Sequence, residues 1–199
     1  MGIKVCKFGG TSMADGNIIQ SAAKIVAADP ARRYVVVSAP GKRFGGDIKV
    51  TDLLYKCSEL AETGGAFEAE FSKIRTRFLN IEKEIGLDLG VEGMLDEIEE
   101  RVLRGEGRDY CASRGEYLAA RIMAAVLDVP FVDAADIVRF KADGSLDEET
   151  YALAASVLKK YARAVVPGFY GRGADGKIKT FSRGGSDISG AVLARAVKA

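Results

Sequence analysis

The hydrophobic pattern of the first 65 residues alternates between short β-prone runs and amphipathic helical runs. Residues 34–38 (Tyr-Val-Val-Val-Ser) are apolar at nearly every position, which is typical of a strand buried on both faces of a parallel sheet. A shorter β-prone run covers residues 3–8, and apolar side chains recur at helical spacing over residues 15–28. A second helix is predicted to begin near Thr51. This order of strand, helix, strand and helix indicates an α/β protein.

The remaining pattern predicts a long helical region and a return to β-structure. Residues 66–127 form three predicted helices, separated by glycine-containing breaks at 86–90 and 105–107. A β-region over 129–140, a helix over 147–161, a strand over 164–169 and a final helix from Ser186 follow. We therefore expect a three-layer α/β/α fold with a mainly parallel central sheet, built as a single domain over residues 1–199.

Composition narrows the functional class. The net charge of +1 disfavours a nucleic-acid-binding protein, and no apolar run is long enough for a membrane span. The first residues lack the apolar core of a signal peptide, and the three cysteines are too far apart in sequence for a zinc motif. Together these features predict a cytoplasmic protein without a bound metal. The chain contains no histidine, which rules out Ser–His and Cys–His nucleophile schemes.

A segment near the end of the sequence predicts an anion site. Residues 183–187 (Arg-Gly-Gly-Ser-Asp) lie at the start of the last predicted helix. A helix start exposes unpaired N–H groups, glycines allow close approach, and an arginine can bind a carboxylate or phosphate with two parallel hydrogen bonds. The ligand predicted from these residues is a small anion.

A second candidate lies at the first strand. Lys7 ends the strand and is followed by Phe8-Gly9-Gly10-Thr11-Ser12, where successive backbone N–H groups could surround a phosphate. The alternative is a plain junction between a strand and a helix.

A third candidate lies inside a predicted helix. A glycine in a helix costs about 1 kcal/mol relative to alanine, so Gly115 predicts the close approach of another element. Glu116 has only small neighbours at helical spacing, so its carboxylate is either solvated or lines a cavity for a cationic group.

One apparent motif is rejected. Residues 171–176 match the dinucleotide pattern G-x-G-x-x-G, but the sequence that follows is β-like, whereas the fingerprint requires a helix there. We interpret this segment as the glycine-rich turn of a hairpin.

The three candidates are chemically complementary. One carboxylate suits an ammonium group, one arginine suits a carboxylate, and a lysine with a glycine turn suits phosphate. This combination favours phosphoryl transfer to an amino acid, in which catalysis is mainly positioning and charge stabilisation.

These segments resemble the aspartokinases of the amino-acid kinase family. The matching blocks follow the family's order and cover nearly the whole chain: residues 7–12, 35–39, 51–54, 115–116, 168–169 and 183–187. The resemblance implies ATP-dependent phosphorylation of the side-chain carboxylate of L-aspartate, the first step towards lysine, threonine and methionine.

The resemblance also implies a set of substrate-binding residues. Arg183 would bind the α-carboxylate of aspartate, and Glu116 would bind its ammonium group. The other members of the set would hold the amino acid and close the pocket: Ser38, Thr51, Phe169, Gly184 and Ser186.

The implied catalytic residues surround the transferred phosphoryl group. Lys7 would stabilise its charge, and Gly9, Gly10 and Thr11 would bind phosphate. Asp187 would orient the lysine and cap the last helix. ATP with Mg²⁺ would be the phosphoryl donor. Because the substrate carboxylate is itself the nucleophile and is ionised at neutral pH, no general base is required.

Family members continue into a nucleotide-binding half, and most then carry ACT regulatory domains. The resemblance therefore implies an amino-acid-binding lobe that lacks turnover alone and comes from a protein that commonly forms homodimers. The loop over residues 39–50 looks long for the family, and we expect it to be mobile when the site is empty. Two alternatives stay open: a kinase for glutamate or a related acid, and a non-enzymatic module that binds an amino acid.

Overall fold

The computed structural model describes residues 2–182 and 184–199. The five strands and eight helices in this part of the chain are β1 (Lys4–Phe8), α1 (Gly16–Ala27), β2 (Arg32–Val37), α2 (Val50–Glu62), α3 (Glu68–Ile85), α4 (Val91–Leu103), α5 (Arg108–Leu127), α6 (Ala134–Ile137), α7 (Glu149–Leu158), β3 (Ala164–Pro167), β4 (Tyr170–Arg172), β5 (Ile178–Thr180) and α8 (Gly185–Val197). A short 3₁₀ turn, Gly10–Met13, lies between β1 and α1. None of the described helices has both the length and the apolar character required to cross a membrane.

The central sheet is parallel and has β2 in the middle. Its order is β1-β2-β3, and Val36 lies opposite Lys7 on one side and Val166 on the other. Residues 34–37 are each at most 1% exposed. The apolar run therefore forms the central strand, as the sequence predicts, because only that position buries both faces.

Helices cover both faces of the sheet. Val35 and Val37 face a core built with α1 to α5, whereas Tyr34 and Val36 face a second core with α6, α7 and α8. Alternate side chains of one strand point to opposite faces, so a continuous apolar strand serves two cores at once. The predicted three-layer α/β/α fold with a parallel sheet is confirmed.

The predicted β-region over 129–140 is wrong in its middle. Phe131 makes an isolated parallel bridge to Val165, and the chain then turns into the short helix α6. Asp133 begins this helix because its carboxylate accepts the N–H of Ala135 at 2.9 Å, and the hydroxyl of Tyr170 donates to the same carboxylate at 2.8 Å. An aspartate before two alanines is a helix-start signal, and it outweighs the β-propensity of its neighbours.

The rejected dinucleotide motif is a hairpin, as expected. β4 and β5 pair antiparallel, and Gly173 N–H donates to the carbonyl of Lys177 at 2.8 Å across the turn. Gly176 has φ of +81°, a conformation that favours glycine.

Gly115 has the packing role that its position in a helix predicts. A Cβ atom at this position would lie 2.6 Å from the Cβ of Ala39 and 3.3 Å from side-chain carbons of Val50 and Leu54. The absence of a side chain allows α5 to pack directly against the loop that follows β2 and against α2.

We predict that Gly115→Ala destabilises the chain by about 1–3 kcal/mol, because overpacking outweighs the gain in helix propensity of about 1 kcal/mol. Gly93→Ala is the matched control, since Gly93 lies in α4 and nothing lies within 4 Å of a Cβ there. The control should stabilise by about 0.5–1 kcal/mol. Urea unfolding of both variants measures the difference, and stabilisation by Gly115→Ala would contradict the packing argument.

Candidate functional site

A cavity of about 480 Å³ opens at the carboxyl ends of β1 and β2. Open α/β sheets bind ligands at this end of their strands. The lining residues come from the turn after β1, the loop after β2, the start of α2 and the middle of α5: Gly10, Thr11, Ser38, Ala39, Pro40, Gly41, Lys42, Lys49, Thr51 and Glu116. Five residues of the predicted site, Gly10, Thr11, Ser38, Thr51 and Glu116, are thus brought together.

Two backbone segments cross closely at the wall of this cavity. Gly41 N–H donates to the carbonyl of Gly10 at 2.8 Å. A Cβ at Gly41 would lie 2.7 Å from the carbonyl carbon of Gly10, and a Cβ at Gly10 would lie 3.0 Å from the carbonyl oxygen of Ala39. A side chain at Gly41 would clash with the backbone and one at Gly10 would be crowded, so glycine at both positions lets the turn after β1 meet the loop after β2.

Glu116 supplies a buried carboxylate. The residue is 5% exposed, and among the described residues its Oε2 has no hydrogen-bond partner. Burial raises the pKa of Glu116 to about 8, and the Ala39 backbone and the charges of Arg114 and Lys7 offset this only in part. A buried, unpartnered carboxylate is unfavourable, so this wall of the cavity is suited to a cationic group.

Lys7 and Asp187 form an ion pair beside the cavity. Lys7 Nζ lies 2.8 Å from Asp187 Oδ1, and the two side chains are 26% and 73% exposed, respectively. An exposed pair of this kind contributes little to stability. Lys7 Nζ would also lie 3.6 Å from a Cβ at Gly9, so the ammonium group lies next to the Gly9 backbone. The predicted contact between Asp187 and the lysine is present in this structure.

The predicted capping role of Asp187 is wrong. Helix α8 begins at Gly185, one residue earlier than expected. Its N-cap residue is Gly184, which has φ of +59° and no side chain that could cap the helix. Asp187 lies in the first turn, where its charge is favourable to the helix dipole, and its carboxylate is directed to Lys7 instead.

The start of α8 packs against the turn between β3 and β4. A Cβ at Gly168 would lie 2.7 Å from the Cβ of Ser186, which is itself buried. Phe169 has φ of +78°, and its N–H donates to Ser189 Oγ at 3.0 Å. Phe169, Gly184 and Ser186 therefore form a second group next to the Lys7–Asp187 pair, outside the lining of the cavity. The remaining predicted residue, Arg183, lies outside the described residues.

Sequence reasoning missed several charged residues of the 39–50 loop and its support. Lys42 and Lys49 line the cavity. Arg77 of α3 is 4% exposed and reaches the same loop, donating to the carbonyl of Gly41 at 2.9 Å. One signal was available: Arg77 occupies the apolar face of α3, at helical spacing from Ile74 and Ile81. An arginine at such a position indicates a buried polar partner.

The arrangement can bind a zwitterion with an additional anionic group. Glu116 suits an ammonium group, Lys42 and Lys49 supply positive charge for carboxylates, and Lys7 with the Gly9 turn suits phosphate. Within the described ranges, no three His, Cys, Asp or Glu side chains are grouped closely enough to hold a metal ion.

Comparisons with known proteins identify a family for this chain. The pattern of the Amino acid kinase family matches residues 2–199. Aspartokinase 3 of Bacillus subtilis is 35% identical over 214 residues, an alignment that covers 99% of this chain and 47% of that protein. The chloroplastic aspartokinase 1 of Arabidopsis thaliana is 30% identical, with 97% of this chain and 38% of the relative covered. The chain thus spans less than half the length of these two curated relatives.

Solved structures show the same relationship. The aspartate kinase of Clostridium acetobutylicum superposes with a TM-score of 0.97 at 39% identity, covering 100% of this chain and 46% of that one. Escherichia coli aspartokinase III, solved in complex with aspartate and ADP, superposes with a TM-score of 0.81 at 29% identity, covering 99% of this chain and 47% of that one. The resemblance to aspartokinases that the sequence motifs predict is confirmed. On the evidence of the family pattern and the shared fold, the chain belongs to the amino acid kinase family.

Proposed function

We propose that this chain is the amino-acid-binding, N-terminal part of an aspartokinase, and that its 199 residues form one domain. In the complete protein, ATP would phosphorylate the side-chain carboxylate of L-aspartate. The similarity to aspartokinases over nearly the full chain supports this assignment. The aspartate and ADP in the related E. coli structure give the ligand classes to test first.

The observation that carries the proposal is the buried carboxylate of Glu116, the one acidic residue that lines the described cavity. Its Oε2 is without a partner in the described part of the chain, and burial holds its pKa at about 8. An α-ammonium group would remove this deficiency. Ser38 and Thr51 also line this cavity, and their hydroxyl groups would hold the rest of the amino acid.

In the proposed reaction, an oxygen of the aspartate side-chain carboxylate attacks the γ-phosphorus of ATP. The new bond forms as the bond to the ADP oxygen breaks, and ADP leaves with its electron pair. No proton has to be removed from the nucleophile. Lys7 and the backbone at Gly9, Gly10 and Thr11 would stabilise the charge on the transferred group, with Asp187 holding the lysine. Mg²⁺ would arrive on the ATP phosphates.

The other assignments rest on the resemblance. Arg183 would bind the substrate α-carboxylate, while Phe169, Gly184 and Ser186 would close the pocket from the start of α8. Participation in lysine, threonine and methionine synthesis, a cytoplasmic location and a homodimer belong to the same proposal.

Ligand selectivity tests the role of Glu116. We expect isothermal titration calorimetry to detect L-aspartate binding, and succinate, which lacks the ammonium group, to bind at least about tenfold more weakly. Glu116→Gln should reduce affinity for aspartate by a similar factor and remove most of the preference over succinate. Glu97→Gln is the control, because the Glu97 side chain on α4 is 69% exposed. Binding of glutamate without binding of aspartate would contradict the substrate assignment.

The pH dependence of binding provides a separate prediction. Below a pH of about 8, the free chain holds a proton on Glu116, and a bound ammonium group favours the ionised carboxylate. Binding at pH 7 should therefore release close to one proton, and affinity should rise by up to about tenfold per pH unit until it levels above pH 8. Calorimetry in buffers of different ionisation enthalpy measures the proton release. Equal release by Glu116→Gln would show that another group is responsible.

Activity of the chain alone separates binding from turnover. We expect these 199 residues, mixed with L-aspartate, ATP and Mg²⁺, to form no aspartyl phosphate above background when the product is trapped as a hydroxamate. A complete aspartokinase in the same assay is the positive control. Turnover near the rate of the complete enzyme would contradict the assignment of this chain as the amino-acid-binding part alone.

A further inference from the structure

A buried arginine connects helix α3 to the wall of the cavity. The side chain of Arg77 is 5% exposed, and its Nη2 lies 2.5 Å from Asp47 Oδ2. Its Nη1 donates to the carbonyl of Gly41 at 2.9 Å. Both acceptors belong to the 39–50 loop. The guanidinium group therefore finds its hydrogen-bond partners in that loop, although it is carried by a helix of the core.

Asp47 binds a second arginine from within the loop. Arg43 donates to the Asp47 carboxylate through its backbone N–H at 3.0 Å, through Nε at 2.8 Å and through Nη2 at 3.0 Å. These hydrogen bonds from Arg43, with the charge of Arg77, lower the pKa of Asp47 well below its usual value. Asp47 thus remains ionised throughout the neutral range, and its carboxylate links Arg43 within the loop to Arg77 on α3.

Apolar packing holds the two ends of this loop, where Ala39 and Val50 are buried, but provides little over residues 42–49. The two large apolar side chains of this stretch, Phe44 and Ile48, are 62% and 45% exposed, and glycines occupy positions 45 and 46. Few buried apolar contacts are typical of a segment that opens easily. The polar contacts from Arg77 are therefore the main link between this middle stretch and the core.

These contacts extend to the cavity itself. Gly41 accepts from Arg77 through its carbonyl and donates through its N–H to Gly10 at 2.8 Å, so one peptide segment joins α3 to the turn after β1. Val50 N–H closes the loop by donating to the carbonyl of Pro40 at 3.1 Å. The loop contributes Lys42 and Lys49 to the lining, whereas Arg77 does not itself line the cavity.

We propose that Arg77 is a positioning residue for the site, which holds the 39–50 loop in place through Gly41 and Asp47 so that the loop completes the cavity. The identity of the ligand rests on the proposed function, but the action of Arg77 on the loop does not. Replacing a buried ion pair by apolar groups is often neutral or stabilising, so global stability alone gives little reason for an arginine on the apolar face of α3. The need to hold the loop in one conformation explains why an arginine occupies this position.

Arg77→Met tests this inference, with Arg75→Met as the matched control. Arg75 lies on the same helix, but it pairs with Glu92, Asp96 and Glu99 of α4 instead of the loop. Hydrogen–deuterium exchange of the unliganded 199-residue chain should be at least about tenfold faster over residues 41–49 in Arg77→Met than in the wild type or the control. Calorimetry should show aspartate affinity reduced by at least about tenfold in Arg77→Met alone.

Two further variants separate positioning from general packing. Asp47→Asn should reproduce both effects of Arg77→Met, because it removes the shared carboxylate. Arg77→Lys keeps the charge but can reach fewer acceptors, so it should recover part of the affinity. Unchanged exchange over residues 41–49 in Arg77→Met would overturn the inference, and so would faster exchange with unchanged affinity for a wild type that binds aspartate. If the wild type binds no amino acid, the proposed function fails, and the exchange experiment alone decides the role of Arg77.

Discussion

The site depends on a crossing of two backbone segments that is too close for side chains. Gly41 N–H donates to Gly10 O at 2.8 Å, and a Cβ on Gly41 would meet the Gly10 carbonyl carbon at 2.7 Å. Gly10 follows β1 and Gly41 follows β2. The crossing therefore joins the backbone segments that leave the ends of two parallel strands. Gly115 allows α5 to approach the same span through Ala39, which brings Glu116 to the cavity.

Two buried ionisable side chains near this crossing differ in whether the protein supplies a partner for them. Arg77 has an ionised partner, Asp47, and a carbonyl acceptor, so its charge is compensated within the protein. Glu116 Oε2 has no partner in the described ranges, and burial raises the pKa of Glu116 to about 8. A compensated charge fixes structure, whereas an uncompensated charge leaves a requirement that a ligand can meet. Arg77 therefore belongs to the residues that support the site, whereas Glu116 belongs to the surface that would contact a ligand.

Much of the fold could be predicted from the sequence, because the strongest signals are local. The continuous apolar run of β2, the hairpin turn at Gly176 and the close contact at Gly115 each follow from a few neighbouring residues. The error over 129–140 arose because an N-cap at Asp133 overrides β-propensity. The Arg77–Asp47 pair joins residues 30 positions apart, and nothing in either local segment identifies the other as its partner. The candidate site residues could be identified from sequence motifs. Which of them line the cavity and which lie at the start of α8 could be determined only from the tertiary structure.

Binding of an amino acid as proposed would change the charge of the cavity, and this change bears on selectivity. With Glu116 protonated, Lys42 and Lys49 make the lining cationic, which attracts carboxylates from solution. A ligand that also carries an ammonium group stabilises the ionised form of Glu116 and gains an ion pair in a buried position. A plain dicarboxylate instead leaves the glutamic acid protonated, or faces repulsion if it ionises. In the proposed function, discrimination for an amino acid would therefore come from a carboxyl group that is mainly protonated at neutral pH and ionises when an ammonium group binds, on a wall that the glycine crossing holds in place.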